Sequence, residues 1–143
     1  MRKALLLLAL ALPASPVLAA PMTTPGKTIA IACAGPLATA ARQVGIKNGI
    51  KAAMHPGACF GKMQIYDGPN FQYVAVIPAP ACPKGKALDV YSNSRAGPWY
   101  SYFEKPVCGS VISIGPKNQW GDWLLTVDGR RYGSRGAYYV PMP

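Results

Sequence analysis

Apolar positions along the chain come in short runs, each stopped by Gly, Pro or Asn, the pattern of strands and tight turns rather than of long helices. Thr28–Ala32 (TIAIA) is a candidate buried strand. Pro36–Met54 is the one helical stretch: Pro36 suits a first turn, Leu37, Ala41, Val44, Ala53 and Met54 offer apolar contacts, and Arg42, Lys47 and Lys51 fall on a polar side. Gly45 and Gly49 each cost such a helix about 1 kcal/mol, so its middle is weak, and His55-Pro56-Gly57 ends it. Met63–Tyr66 and Phe71–Ile77 read as two strands around a turn at Asp67-Gly68-Pro69-Asn70. Pro78, Pro80 and Pro83 form a stiff connection, after which Lys84-Gly85-Lys86 opens a second unit. There, strands are expected at Ala87–Tyr91, Val111–Ile114, Asp122–Val127, Arg130–Gly133 and Tyr138–Val140, with a two-residue hairpin turn at Asp128-Gly129 and a long polar and aromatic loop over Ser92–Phe103. The expected fold is mainly β: a helix-plus-hairpin segment over residues 20–80, then a small antiparallel barrel or sandwich over 81–143.

The start of the chain changes the compartment. Met1-Arg2-Lys3 is followed by the apolar run Ala4–Leu12, broken by Pro13, Ser15 and Pro16, and Val17-Leu18-Ala19 supplies small residues at the two positions a signal peptidase reads. Residues 1–19 are therefore expected to be a cleavable export signal. The run is too short before its proline to span a bilayer, which takes about 20 apolar residues. The chain has 15 basic and five acidic side chains; Arg2 and Lys3 leave with the signal, so the mature protein carries 13 against five, a net of +8. Such an excess favours polyanionic partners, and it also simply keeps an exported protein soluble.

Cys33, Cys59, Cys82 and Cys108 are the only cysteines, an even set in an exported chain, which reads as a disulfide framework with three possible connectivities. The outer intervals are both 26 residues, which favours Cys33–Cys59 with Cys82–Cys108. No C-x-x-C pair is present to favour zinc. The stretches after Cys59 and Cys108 also echo each other, each with a strand, a polar turn and an aromatic-led strand; a diverged duplication would explain this and the equal cysteine intervals, as would the general likeness of any two β-hairpins.

Ala87-Leu88-Asp89-Val90-Tyr91, Gly121-Asp122-Trp123-Leu124 and Gly136-Ala137-Tyr138-Tyr139-Val140-Pro141 stand in the order of three short motifs. On them, residues 86–143 resemble the bacterial Src-homology-3 domains of exported proteins, with their opening strand, central tryptophan strand and closing turn. The chain departs from that pattern at Asp89-Val90 before Tyr91 and at Ser134-Arg135 after Gly133. The resemblance implies a small β-barrel and a non-catalytic binder of peptidoglycan, its peptide stems or partner proteins. It places a ligand groove at Tyr91, Trp99, Tyr100, Tyr102, Trp123 and Tyr139, flanked by Arg95, Lys105, Arg130, Arg131 and Arg135. Aromatic faces suit proline rings, sugar C–H faces and cations, and Arg meets carboxylates or phosphates in bidentate fashion. Trp123 and Trp120 are expected to be core or half-core residues. Trp99–Phe103 sits in a Gly/Pro-bounded loop and is expected to leave some aromatic surface exposed or partner-bound.

Acid–base chemistry has few groups to work with: His55, Asp67, Asp89, Glu104, Asp122 and Asp128. Asp67 and Asp128 each precede a turn glycine, Asp122 suits the start of a strand, and His55 lies at a helix end. Glu104 is the one acid suited to catalysis, with Asp89 as its sole free companion. No catalytic residue, metal or cofactor is expected. The resulting expectation is a periplasmic or secreted, non-catalytic binding module for an anionic cell-envelope partner, peptidoglycan or an envelope protein, with no native nucleic-acid partner and no membrane span in the mature protein. The competing class is a small secreted inhibitor or accessory protein acting on another protein; a cell-wall hydrolase ranks third.

Overall fold

A computed structural model describes residues 22–66, 68–94 and 97–143. The expected signal peptide, Asp67 of the hairpin turn and Arg95 of the basic set lie outside the described residues. The fold is mainly β, with antiparallel sheets and a small helical region. Two helices come first, α1 (Pro36–Lys47) and α2 (Lys51–Met54). The strands are β1 (Cys59–Met63), β2 (Gln72–Pro78), β3 (Lys86–Ser92), β4 (Tyr100–Ser101), β5 (Val107–Cys108), β6 (Ile112–Lys117), β7 (Trp123–Val127), β8 (Arg130–Arg135) and β9 (Tyr138–Pro141). One sheet runs β1-β2-β3-β4, with β5 also on β3, and the other runs β6-β7-β8-β9.

The burial of β2 and β3 explains the layering. Val74 and Val76 of β2 and Leu88 and Val90 of β3 join Ile112, Ile114, Leu125 and Val127 of the second sheet in one apolar cluster. Their alternate neighbours Tyr73, Ala75 and Tyr91 pack instead with Ala38, Ala41, Ala52 and Ala53 of the helices. Strands apolar on both faces belong in the middle of a covered sheet. The result is three layers: helices, the five-stranded sheet and the four-stranded sheet.

This placement corrects the expected barrel over residues 81–143. β3, taken as its opening strand, pairs antiparallel with β2 over all seven of its residues and lies in a different sheet from Trp123 and Tyr139. Neither sheet closes into a barrel. The Pro78–Lys86 connection is a tight turn between paired strands, closed by Ala79 N–H to Gly85 O at 2.8 Å.

The sheets are stitched at both margins. Residues 28–32 do not form a continuous strand: Thr28 bridges Ser113 of β6 and Ala32 bridges Phe60 of β1, so the segment crosses from one sheet to the other. On the opposite side, Tyr139 N–H donates to Tyr102 O at 2.6 Å.

The expected helix is broken where Gly49 adopts φ 71°, a left-handed conformation that glycine takes without steric cost. Gly45 has a different role from the expected weak point: a Cβ there would lie 2.1 Å from Ala53 Cβ, so its bare Cα lets α2 fold back onto α1. Arg42, expected on a polar face, turns inward. Its guanidinium donates to His55 O at 2.8 Å and Ala58 O at 3.0 Å, with longer contacts to Ala53 O and Pro56 O, and lies 5.1 Å from the Phe60 ring centroid. The Asp128-Gly129 turn forms as expected, both residues having positive φ.

Both disulfides favoured by the cysteine spacing are formed, Cys33–Cys59 and Cys82–Cys108, and no cysteine is free. Bonds of this kind persist in oxidising compartments. Among the described residues no helix is long and apolar enough to cross a membrane. The intact oxidised protein is expected to weigh four hydrogens less than after reduction, and iodoacetamide labelling before reduction would contradict the pairing.

Candidate functional site

The aromatic loop expected between β3 and β5 folds back onto the sheet. Tyr100 pairs with Ser92, Ser101 pairs with Tyr91, and Tyr102 N–H donates to Val90 O at 2.7 Å. The rings of the segment then divide between two clusters. Tyr102 and Phe103 are buried in the cluster between the sheets. Trp99 is half-buried on the helix side, stacked on Tyr73 at 5.4 Å between centroids, with its backbone N–H donating to Asn48 Oδ1 at 3.2 Å. Tyr91 is fully buried, and its hydroxyl donates to Ala41 O at 2.5 Å, tying β3 to α1.

Tyr100, Tyr102 and Tyr139, three of the sequence-derived groove residues, do meet. They line a cleft of about 440 Å³ together with Tyr66, within the usual range of about 300–1,000 Å³ for ligand sites. Tyr102 and Tyr139 stack at 4.8 Å with planes 4° apart, and Tyr100 lies 5.7 Å from Tyr102. The polar wall comes from Asn70, Ser94, Asp122 and Ser134. Ser94 Oγ and the Tyr100 hydroxyl are hydrogen-bonded at 2.9 Å, and Tyr139 OH donates to Trp123 O at 3.2 Å. Burial pushes the Tyr102 and Tyr139 phenols well above the ordinary value of 10, so both stay neutral at any physiological pH. Asp122 is the only acidic side chain, and no basic one is present, among the described residues of the cleft wall. Its chemistry is that of aromatic faces and neutral hydrogen-bonding groups with one carboxylate.

The other sequence-derived residues lie elsewhere. Trp123 is half-buried, with Lys117 Nζ 4.9 Å from its ring centroid. Arg130 and Arg131 are exposed at the start of β8, whereas the cleft residue Ser134 lies near its far end. Three residues of strand separate Arg131 from Ser134, about 10 Å. Arg135, next to Ser134, and Lys117, paired with Trp123 beside Asp122, are exposed cations adjacent to cleft residues in the strand register. Trp120 is 74% exposed, against the core or half-core position expected for it. Tyr66, Asn70, Ser94, Asp122 and Ser134 were not recognisable as site residues, because they sit at strand ends and in turns that only sheet packing brings together.

A second cleft, of about 350 Å³, brings together Asp89 and Glu104, with Lys51 and Ser101 also in its wall. Asp89 is buried on β3, accepting from Ser101 Oγ at 2.5 Å and Val90 N–H at 2.8 Å. Burial pushes its carboxyl up to about 6, hydrogen bonds from Ser101, Val90 and Phe103 opposing the rise. His55 is engaged locally, its Nδ1 accepting the Gly57 N–H at 3.0 Å. Among the described residues no group of three or more His, Cys, Asp or Glu is placed to hold a metal ion.

No family model matches the chain, and neither the curated proteins nor the solved structures contain a match to it.

Proposed function

We propose that the protein is an exported, non-catalytic binding module for the cell envelope, with peptidoglycan as its ligand and the tyrosine cleft as its site. The cleft carries this reading: its tyrosine rings and neutral polar groups suit a sugar backbone, with C–H faces against rings and hydroxyls on Asn70, Asp122 and the serines. Its lone carboxylate disfavours an anionic group inside. The acidic peptide stems of the polymer would instead meet exposed cations outside, Lys117 and Arg135 among them. The expected export signal and the two disulfides support a periplasmic or secreted location.

Sedimentation with purified peptidoglycan tests the proposal. The mature protein is expected in the pellet. Tyr100→Ala and Asp122→Ala are each expected to weaken binding by about 1–2 kcal/mol, whereas reversing Arg130 and Arg131 to Glu has a smaller effect, lost at high salt. Protein that stays in the supernatant and instead captures a protein would favour the inhibitor or accessory class.

One observation favours a second reading. Asp89 and Glu104 line the same cleft, and Asp89 is a buried carboxyl with a raised pKa, as the general acid of a two-carboxylate hydrolase requires. Release of soluble fragments from peptidoglycan, abolished in Glu104→Gln, would replace the binding proposal by this one.

A further inference from the structure

Trp120 has the highest exposure of the large apolar side chains described, at 74% against 37–54% for the others. It sits in the β6–β7 turn, which is held from several directions. Asn118 Oδ1 accepts the backbone N–H of both Trp120 and Asp122, each at 2.9 Å. Asn118 N–H donates to Asp122 O at 2.8 Å, and Gly121 N–H donates to Asn118 O at 3.0 Å. Gly121 supplies the positive φ that the turn needs, at 83°. An indole left in water by so well fixed a backbone is presented at low ordering cost to a partner.

The same turn ends on Asp122, a wall residue of the tyrosine cleft. Two residues of chain span at most about 7 Å, so the exposed indole and the cleft wall lie within the reach of one extended ligand. We infer that Trp120 is an outer subsite for the glycan chain held in the cleft, stacking on a sugar ring beyond those inside. This rests on the proposed glycan reading of the cleft and adds that the ligand is a chain longer than the cleft can hold. The flanking residues favour a polymer over a lipid surface. Asn118, Gln119, Gly121 and Asp122 are polar or small and only Lys117 is basic, whereas a bilayer anchor combines several apolar side chains with a cationic cluster. A sugar ring needs only one aromatic face with polar groups around it.

Chain length is the test. The probes are the dimer and the hexamer of β-1,4-linked N-acetylglucosamine, titrated calorimetrically into the full mature protein. The wild type is expected to bind the hexamer about tenfold more tightly than the dimer, the gain of one aromatic contact. Trp120→Ala is expected to keep the dimer affinity and lose the hexamer gain, and Trp120→Phe to recover part of it. Equal effects of Trp120→Ala on both oligomers, or no effect on either, would overturn the inference. Dimer binding without a length gain in the wild type would overturn the outer subsite and leave the cleft reading standing, while binding of neither oligomer would overturn both. If Trp120→Ala instead abolishes sedimentation with phosphatidylglycerol vesicles and leaves hexamer binding intact, the turn is a lipid anchor and the inference fails.

Discussion

Replacing Arg42 by Met is expected to destabilise the protein by about 3 kcal/mol, although Arg42 touches no acidic side chain in any described contact. Its guanidinium donates to the carbonyls of Ala53, His55, Pro56 and Ala58, which run from the end of α2 up to the start of β1. Carbonyls at a helix C-terminus carry partial negative charge and lack intrahelical partners. α2 is only four residues long, too short to hold itself, so this cation substitutes for the missing helical bonds. Met keeps the length of the stem and its packing near Phe60 but removes every donor. Lys restores charge without the planar fork, so Arg42→Lys is expected to fall between the two. Urea unfolding of the three proteins measures this, and a Met variant within 0.5 kcal/mol of the wild type, on the order of a surface substitution, would contradict it.

Asp89→Asn is expected to flatten the pH dependence of stability, removing a loss of about 3 kcal/mol that the wild type incurs between about pH 4 and pH 8. The wild-type carboxyl is pushed from 3.8 up to about 6 in the fold, chiefly by burial. A raised acid pKa means that the folded state binds the proton more tightly than the unfolded chain. Its contribution to stability is therefore complete below pH 3.8 and is lost as pH rises through about 6. At neutral pH the protein holds a buried carboxylate whose desolvation is only partly offset by Ser101, Val90 and Phe103. An amide of the same shape carries no such charge, and its oxygen still accepts from Val90, while its NH2 can donate to the Ser101 hydroxyl but accepts from neither Ser101 nor Phe103. Denaturation at pH 4, 6 and 8 gives the comparison, and identical slopes for wild type and variant would place the titration on another group. A carboxyl so costly to bury, in one cleft with Glu104, is also what makes that cleft worth assaying for hydrolysis.

The runs of β2, β3 and β6 to β9, the helix start at Pro36, the Asp128-Gly129 turn and the cysteine partners were legible in the sequence, because each depends on neighbours close along the chain or on spacing. β1 was the nearest miss, beginning at Cys59 rather than Met63, because Gly61 hides an alternation that the crossing segment 28–32 requires: a Cβ there would meet Ala30 O at 2.7 Å.

Partnership between strands is a different matter. Ala87–Tyr91 reads equally well as the first strand of a barrel or as the centre of a larger sheet, and only apolar layers on both of its faces decide for the second. Sheet packing likewise turned Tyr102 and Phe103 inward, left Trp120 in water and carried Arg130 and Arg131 away from the cleft. Composition and local pattern determined that this is a disulfide-stapled, turn-rich β protein. Which tyrosines share a cleft, and which carboxylates line the other, was decided by contacts between segments distant along the chain, whose energies depend on burial that exists only once the layers have closed.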